Sequence, residues 1–230
     1  MRPERFSRIV STLQRRQPDL TIAMESLHKT RNLGAIARTC DAVGIGEIHA
    51  ISSDPTNVTL GHKTAGGTEK WLLLQHHMTI LGAYDEFRKM GFAILAAGLS
   101  DDAVDFRSVD YTQPTAIVVG SELDGLSNDA SMQADQLIKV PLLGMVESLN
   151  VSVATGIILY EAARQREAAG QYESQRICDD DYHRLLFEWL HPSVAQYCRK
   201  NRRPYPNLDE HGEIIEGVSG NRRDGLKSIG

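Results

Sequence analysis

The 230-residue chain has only three cysteines, Cys40, Cys178 and Cys198, widely spaced and without a Cys-x-x-Cys pair. Such a set argues against both a disulfide framework and a cysteine zinc site, so the thiols are expected to be reduced and structural. No apolar run approaches the ~18–20 residues needed to span a bilayer. The basic opening stretch MRPERFSRIVSTLQRRQPDL lacks the apolar segment of a signal peptide. A cytoplasmic protein with no membrane partner is therefore expected. No G-x-G-x-x-G follows the first strand-like run, and Gly61-His62-Lys63-Thr64 has the tail of a P-loop without its front glycine. Dinucleotide and ATP sites are thereby disfavoured. No G-x-S-x-G elbow appears, which disfavours a serine hydrolase. The only histidine cluster is His76-His77; neighbours on a strand point apart, so no metal site is expected.

What is present begins with charge. The net charge is −5, which by itself speaks against a nucleic-acid partner. Residues 1–38, however, hold eight Lys/Arg against three acids. Arg199, Lys200, Arg202 and Arg203 form a second basic cluster, with no acid between Pro192 and Leu208. Basic ends on an acidic body suit an anionic polymer held at the termini, although solvated helix faces would give the same count.

Along the chain, a short amphipathic helix over Ile9–Leu13 ends before Pro18. Strand-like runs are expected at Leu20–Met24, Glu47–Ile51, Lys70–Leu74, Phe92–Ala97, Thr115–Val119 and Leu137–Leu143. Apolar residues at 33, 36, 37, 40 and 43 predict a helix over Asn32–Val43, with Gly44 as its C-cap. Further helices are expected over Ile80–Met90, 127–134, 151–168 and Tyr182–Leu190. The Asp179-Asp180-Asp181 run suits the last helix start through the macrodipole. Continuous apolar strands alternating with helices predict an α/β fold, a mostly parallel sheet with helices on both faces. Ligands of such sheets gather at strand carboxyl ends. Here these are Ala97-Gly98, Gly120-Ser121-Glu122 and Leu142-Leu143-Gly144. Glu122 and Asp124 stand in a glycine-bounded loop and read equally as an acid pair or as a cap for the following helix.

Three stretches, NLGAIARTCDAVG (32–44), IVVGSELDGLS (117–127) and IKVPLLGMVESLNVSVATGIILYEA (138–162), resemble, in order and spacing, the three motifs of the SpoU/TrmH family of RNA ribose 2′-O-methyltransferases. The similarity extends over about residues 1–170. RRQPDLTIAMESLHK (15–29) looks like the branch that modifies guanosine-18 in the tRNA D-loop, and RRPYPNLDEHGEI (202–214) matches that branch more loosely. The resemblance implies a deep C-terminal trefoil knot, a homodimer, and S-adenosylmethionine bound bent in the knot. It implies a basic N-terminal helical extension over 1–20, a knotted catalytic domain over 21–168 and a C-terminal RNA-binding extension over 169–230. Methylation of an rRNA nucleotide, or a non-catalytic RNA-binding protein, are the alternatives.

The same resemblance implies cofactor contacts, largely through backbone, around Ala97, Gly98, Gly120, Val140 and Leu149; many relatives carry Thr in place of Ala97. Arg38 is implied to act on the ribose hydroxyl. Arginine keeps its proton above about pH 12, so Arg38 is expected to stabilise the developing alkoxide as a fixed cation, with help from an RNA phosphate. Asn32 is implied as an active-site hydrogen-bonder, with an N-cap of the Arg38 helix as the structural reading. Glu122 would orient Asn32 or the ribose. Ser148 and Asn150 would fix the cofactor loop or cap the 151–168 helix. Phosphate contacts are assigned to Arg5, Arg8, Arg15, Arg16, Arg164, Arg166, Arg199, Lys200, Arg202 and Arg203.

Overall fold

The computed structural model describes residues 2–27, 29–54, 67–121 and 124–215. The P-loop-like stretch at 61–64 and Glu122 lie outside them. The chain divides into two compact units, Thr12–Cys178 on one hand and Met1–Ser11 with Asp179–Gly230 on the other.

Among the described residues the larger unit holds seven strands: β1 (Leu20–Glu25), β2 (Glu47–Ile51), β3 (Leu73–His77), β4 (Ala93–Ala97), β5 (Val104–Asp105), β6 (Thr115–Val119) and β7 (Gln136–Lys139). They form one sheet in the order β3-β2-β1-β6-β4-β7-β5. Every pairing between them is parallel. The helices of this unit are α2 (Thr30–Ala42), α3 (Ile80–Lys89), α4 (Asn128–Gln133) and α5 (Val151–Ala168); α1 (Pro3–Gln14) starts in the smaller unit and ends in the larger.

Side-chain alternation sends each central strand into two cores. Ile22 and Met24, Ile117 and Val119, and Leu95 pack with Leu33, Ile36, Ala37 and Cys40 of α2 and with Ile158, Leu159 and Ala162 of α5. Ala23, Ala116 and Val118, with Ile94 and Ala96, pack on the other face with Ala83, Tyr84 and Phe87 of α3 and Ala130 of α4. The small alanines on that face let two large rings lie close, and the Tyr84 hydroxyl donates to the Ala130 carbonyl at 2.8 Å. Burying a large aliphatic or aromatic side chain contributes about 1.5–3 kcal/mol, so this double-sided core is the main stabilising element.

Several expectations shift. The third strand is Leu73–His77 rather than Lys70–Leu74, because Thr68–Lys70 forms a 3₁₀ turn and the register is set by Ile48 opposite Leu74. The last strand ends at Lys139, and residues 140–150 have no regular structure. Helix α2 starts at Thr30, with Lys29 in the N-cap position, so Asn32 lies within the first turn and is not the cap. Gly44 does follow α2 at φ +87°, where an added Cβ would fall 2.7 Å from the Arg15 carbonyl oxygen.

Two arginines assigned to RNA are instead interior. Arg16 is 2% exposed and donates to the Ile45 carbonyl at 2.5 Å, Asp41 at 2.8 Å and the Trp71 carbonyl at 3.0 Å. Arg166 is 0% exposed and spends its donors on Tyr111, Gln17, Asp19 and Gln113. Neither guanidinium can meet a phosphate without leaving these partners.

The smaller unit holds α6 (Asp179–Leu190) and α7 (Pro192–Lys200) with the first residues of α1. The three aspartates occupy the first turn of α6. Buried Gly212 sits at φ +77°, where a Cβ would be 2.7 Å from the Phe6 ring and 2.8 Å from Leu190. The Arg5 guanidinium donates to the Trp189 carbonyl at 3.2 Å.

Candidate active site

At the carboxyl ends of β4, β6 and β7 lies a cavity of about 660 Å³. That is within the range of a small-molecule site, about 300–1,000 Å³. Its wall includes Ala97, Gly98, Gly120, Val140 and Leu149, all five of the residues expected to meet the cofactor, together with Ser148 and Asn150. Sequence reading did not single out Lys29 or Lys139, which also line it; Lys139 donates to the Ser100 carbonyl at 3.0 Å. Position was the available signal, since Lys139 is the last residue of a strand and ligands gather at such ends.

The loop after β6 is tightly closed. Ser121 and Gly125 exchange two backbone hydrogen bonds, at 3.0 and 3.1 Å, and the Asp124 amide donates to the Ser121 hydroxyl at 2.9 Å. A Cβ on Gly120 would lie 2.0 Å from the Gly125 carbonyl oxygen. Backbone therefore approaches backbone here as only glycine allows, and both glycines line the cavity.

Asn150 begins α5 as its N-cap. Its side-chain oxygen accepts from the Ser152 amide at 3.0 Å and from the Ser152 hydroxyl at 2.5 Å. Its amide nitrogen lies 3.5 Å from the Asn32 side-chain oxygen. Capping and site geometry thus coexist in one residue, and the structure brings Asn32 and Asn150 together from 118 positions apart. The packing of α2 against α5 brings about this meeting.

Arg38 stands elsewhere. Asn32 is buried and Arg38 exposed, as expected for residues six positions apart on one helix, which project in different directions. Arg38 does not line the cavity of its own chain. Beyond the cavity, exposed Leu143, Met145 and Val146 belong to the 140–150 segment, and exposed Val153, Ile157 and Tyr160 follow helical spacing on α5.

Among the remaining basic residues, Arg5, Arg8 and Arg15 are exposed. Arg164 is exposed but its fork is held by Glu161 at 2.9 and 2.7 Å, and this pairing pulls the Glu161 carboxyl down to about 2. Arg199 pairs with Glu188 at 2.9 Å. Arg203 lies over the Tyr197 ring at 5.8 Å. Lys200, Arg202 and Arg203 are exposed. His76 and His77 do diverge: His76 is exposed, while His77 turns in to meet His49 at 2.9 Å.

A parallel sheet with a cavity at its strand carboxyl ends, its wall including Gly98, Gly120, Gly125 and Asn150, defines an α/β protein with a site of small-molecule size. The chain belongs to the SpoU rRNA Methylase family, whose model matches residues 19–160; a second model, SpoU, rRNA methylase, C-terminal, matches residues 164–217. Over 216 residues it is 46% identical to the tRNA (guanosine(18)-2′-O)-methyltransferase of Escherichia coli (strain K12), covering 93% of this chain and 94% of that protein. The enzyme of the same name from Thermus thermophilus is 49% identical over 187 residues, 81% of this chain and 95% of its own. The crystal structure of the A. aeolicus TrmH/SpoU tRNA modifying enzyme superposes with a TM-score of 0.78 at 39% identity, covering 83% of this chain and 97% of that one. An AdoMet-bound rRNA methyltransferase from Sinorhizobium meliloti superposes with a TM-score of 0.58 at 28% identity, covering 67% and 59%.

Proposed function

We propose that the chain methylates the ribose 2′-hydroxyl of guanosine-18 in the tRNA D-loop, with S-adenosylmethionine as methyl donor. The observation that carries this is the cavity at the strand ends, lined by all five expected cofactor residues and flanked by the Asn32–Asn150 contact. The residues fit the donor. Leu126, Leu137, Val151 and Ile158 offer an apolar bed, and Gly120 and Gly125 bring backbone to the cavity. When bound, S-adenosylmethionine supplies an electrophilic methyl group on a sulfonium.

The chain's own residues handle the nucleophile. A ribose hydroxyl attacks poorly because it holds its proton at neutral pH, so a fixed cation near the oxygen lowers the barrier by stabilising the charge that develops. Arg38 supplies that cation, with an RNA phosphate as the proton's destination. Asn32 and Asn150, held against each other, position the ribose. Ser148 fixes the cofactor loop, and Glu122, by its place between Ser121 and Asp124, serves in the same loop.

Because Arg38 is exposed and absent from its own chain's cavity, it acts across a homodimer interface, toward the cavity of the second copy. The exposed apolar row on α5 and the exposed Leu143, Met145 and Val146 support that interface, since apolar groups gathered on one surface mark protein contacts. The deep trefoil knot belongs to this reading. Its support is the sheet order, in which β6 enters between β1 and β4, and β7 between β4 and β5. The C-terminal unit, with Arg199, Lys200, Arg202 and Arg203, grips tRNA through phosphates. A cytoplasmic setting follows from such a substrate.

The test is methyl transfer from labelled S-adenosylmethionine to an unmodified tRNA transcript and to an rRNA transcript. Transfer to tRNA alone is expected, and transfer to rRNA alone would overturn the choice of substrate. Mixing inactive Arg38→Ala with inactive Asn150→Ala protein tests the shared site, because activity should return in the mixture.

A further inference from the structure

Glu25 is the last residue of β1 and is 7% exposed. Its neighbour Met24 sits in register with Val119, the last residue of β6, so the side chain leaves the sheet beside the start of the 120–127 loop. One carboxylate oxygen accepts from the Ser127 amide at 2.9 Å and the other from the Ser127 hydroxyl at 2.7 Å. That hydroxyl gives its only proton to Glu25 and accepts from the Ala130 amide at 3.1 Å, capping α4. A continuous relay therefore runs from the sheet through Ser127 into the helix that follows the loop. The near end of the loop is held by β6 pairing and the far end by Glu25. Between them, Gly120, Ser121, Asp124, Gly125 and Leu126 all line the cavity.

We infer that Glu25 is a positioning residue for methyl transfer, one that fixes the cofactor-facing loop by clamping Ser127. A neutral amide cannot reproduce the clamp, because Glu25→Gln offers one acceptor and one donor where the site presents two donors. The loop then gains freedom at its far end, and the cavity wall made by Gly120, Ser121, Asp124, Gly125 and Leu126 loses its fixed shape. Since the loop faces the donor site, the effect falls on S-adenosylmethionine rather than on tRNA. The inference rests on the methyltransferase reading above, and a binding readout separates the two.

The experiment measures calorimetric Kd for S-adenosylmethionine, KM for tRNA, kcat and Tm for wild type, Glu25→Gln, Ser127→Ala, Ser127→Thr and the Glu25→Gln/Ser127→Ala double variant. Each of the first two single variants should weaken S-adenosylmethionine binding roughly ten- to a hundredfold, the loss of one charge-assisted hydrogen bond. KM for tRNA should stay within about twofold. Ser127→Thr, which keeps both donors, should bind like wild type. The double variant should be no worse than the weaker single one, as expected for residues in one unit. Unchanged S-adenosylmethionine affinity in Ser127→Ala, even with a lowered Tm, would overturn the inference, and so would fully multiplicative losses in the double variant. Should Glu25→Gln fail to fold, Ser127→Ala and Ser127→Thr decide alone. A wild type that binds S-adenosylmethionine without transferring methyl, while these variants still bind it weakly, would sink the reaction and leave the clamp standing.

Discussion

Replacing Arg166 by leucine should destabilise the protein strongly without touching its affinity for RNA. The guanidinium is fully buried. Its Nε donates to the Tyr111 carbonyl at 2.8 Å, one terminal nitrogen to Gln17 at 3.1 Å and Asp19 at 2.6 Å, and the other to the Asp19 and Gln113 carbonyls, both at 3.0 Å. All five N–H donors of the fork are used. Leucine would strand the Tyr111 carbonyl and half of the Asp19 carboxylate, while the Asp19 and Gln113 carbonyls keep the Thr115 amide at 2.9 Å and the Thr115 hydroxyl at 2.8 Å; Arg176 at 2.7 Å stays as the acid's remaining cation. The stranded Tyr111 acceptor costs about 1–3 kcal/mol, partly relieved by water. Breaking a buried ion pair costs about 3–5 kcal/mol, and a loss within that range is expected here. Urea unfolding measures it as a lowered midpoint at unchanged m-value. Arg166→Lys, with three donors, should recover part of the loss. A fall below about 1 kcal/mol, or a shallower salt dependence of tRNA binding in a variant of normal stability, would refute the structural assignment.

Other outcomes follow from the same geometry. Burial, and then the neighbouring His77, hold His49 down to about 3, against about 6.5 in an unfolded chain; its stabilising effect is complete above about pH 6.5 and is lost as pH falls toward 3. Wild type should therefore lose up to about 1.4 kcal/mol of stability per pH unit in that window from this group, and His49→Leu should flatten that part of a pH series of urea titrations. Gly120→Ala should weaken S-adenosylmethionine by more than about tenfold in calorimetry, because the new methyl meets backbone at 2.0 Å. Charge-removing variants of Lys200, Arg202 and Arg203 should each weaken tRNA binding and lower the slope of log Kd against log salt by roughly one per lost phosphate contact, with little change in S-adenosylmethionine affinity; a flat salt response in the wild type would contradict the assignment.

Much of the fold was legible because its central strands, such as AILAA and TAIVV, are largely apolar runs. Glu47–Ile51 and Thr115–Val119 stand as read, and so does the 151–168 helix. Val104–Asp105 was not legible: two residues have no period, and they form a strand only by pairing with Ile138 and Lys139. Trp71 and Leu72 misled for a related reason. They belong to an apolar stretch, but the edge strand begins where β2 offers a register, and Leu73 is left exposed there. In the site, the motif spacing located every expected cofactor residue on one cavity. Charge counting could not separate Arg16 and Arg166 from Arg15 and Arg164, because a basic residue carries no local sign of burial; the partners that bury it come from distant strands and loops. Nor could spacing alone show that Asn150 caps its helix and meets Asn32 at once.

Methylation of guanosine-18 is tested most directly by locating the methyl group. Unmodified tRNA transcript is incubated with the protein and S-adenosylmethionine, digested, and mapped by mass spectrometry. The expected product is 2′-O-methylguanosine at position 18 of the transcript, with none in a transcript whose guanosine-18 is replaced by another nucleotide. Methyl on a base, or a ribose methyl at another position that persists in the replaced transcript, would contradict it.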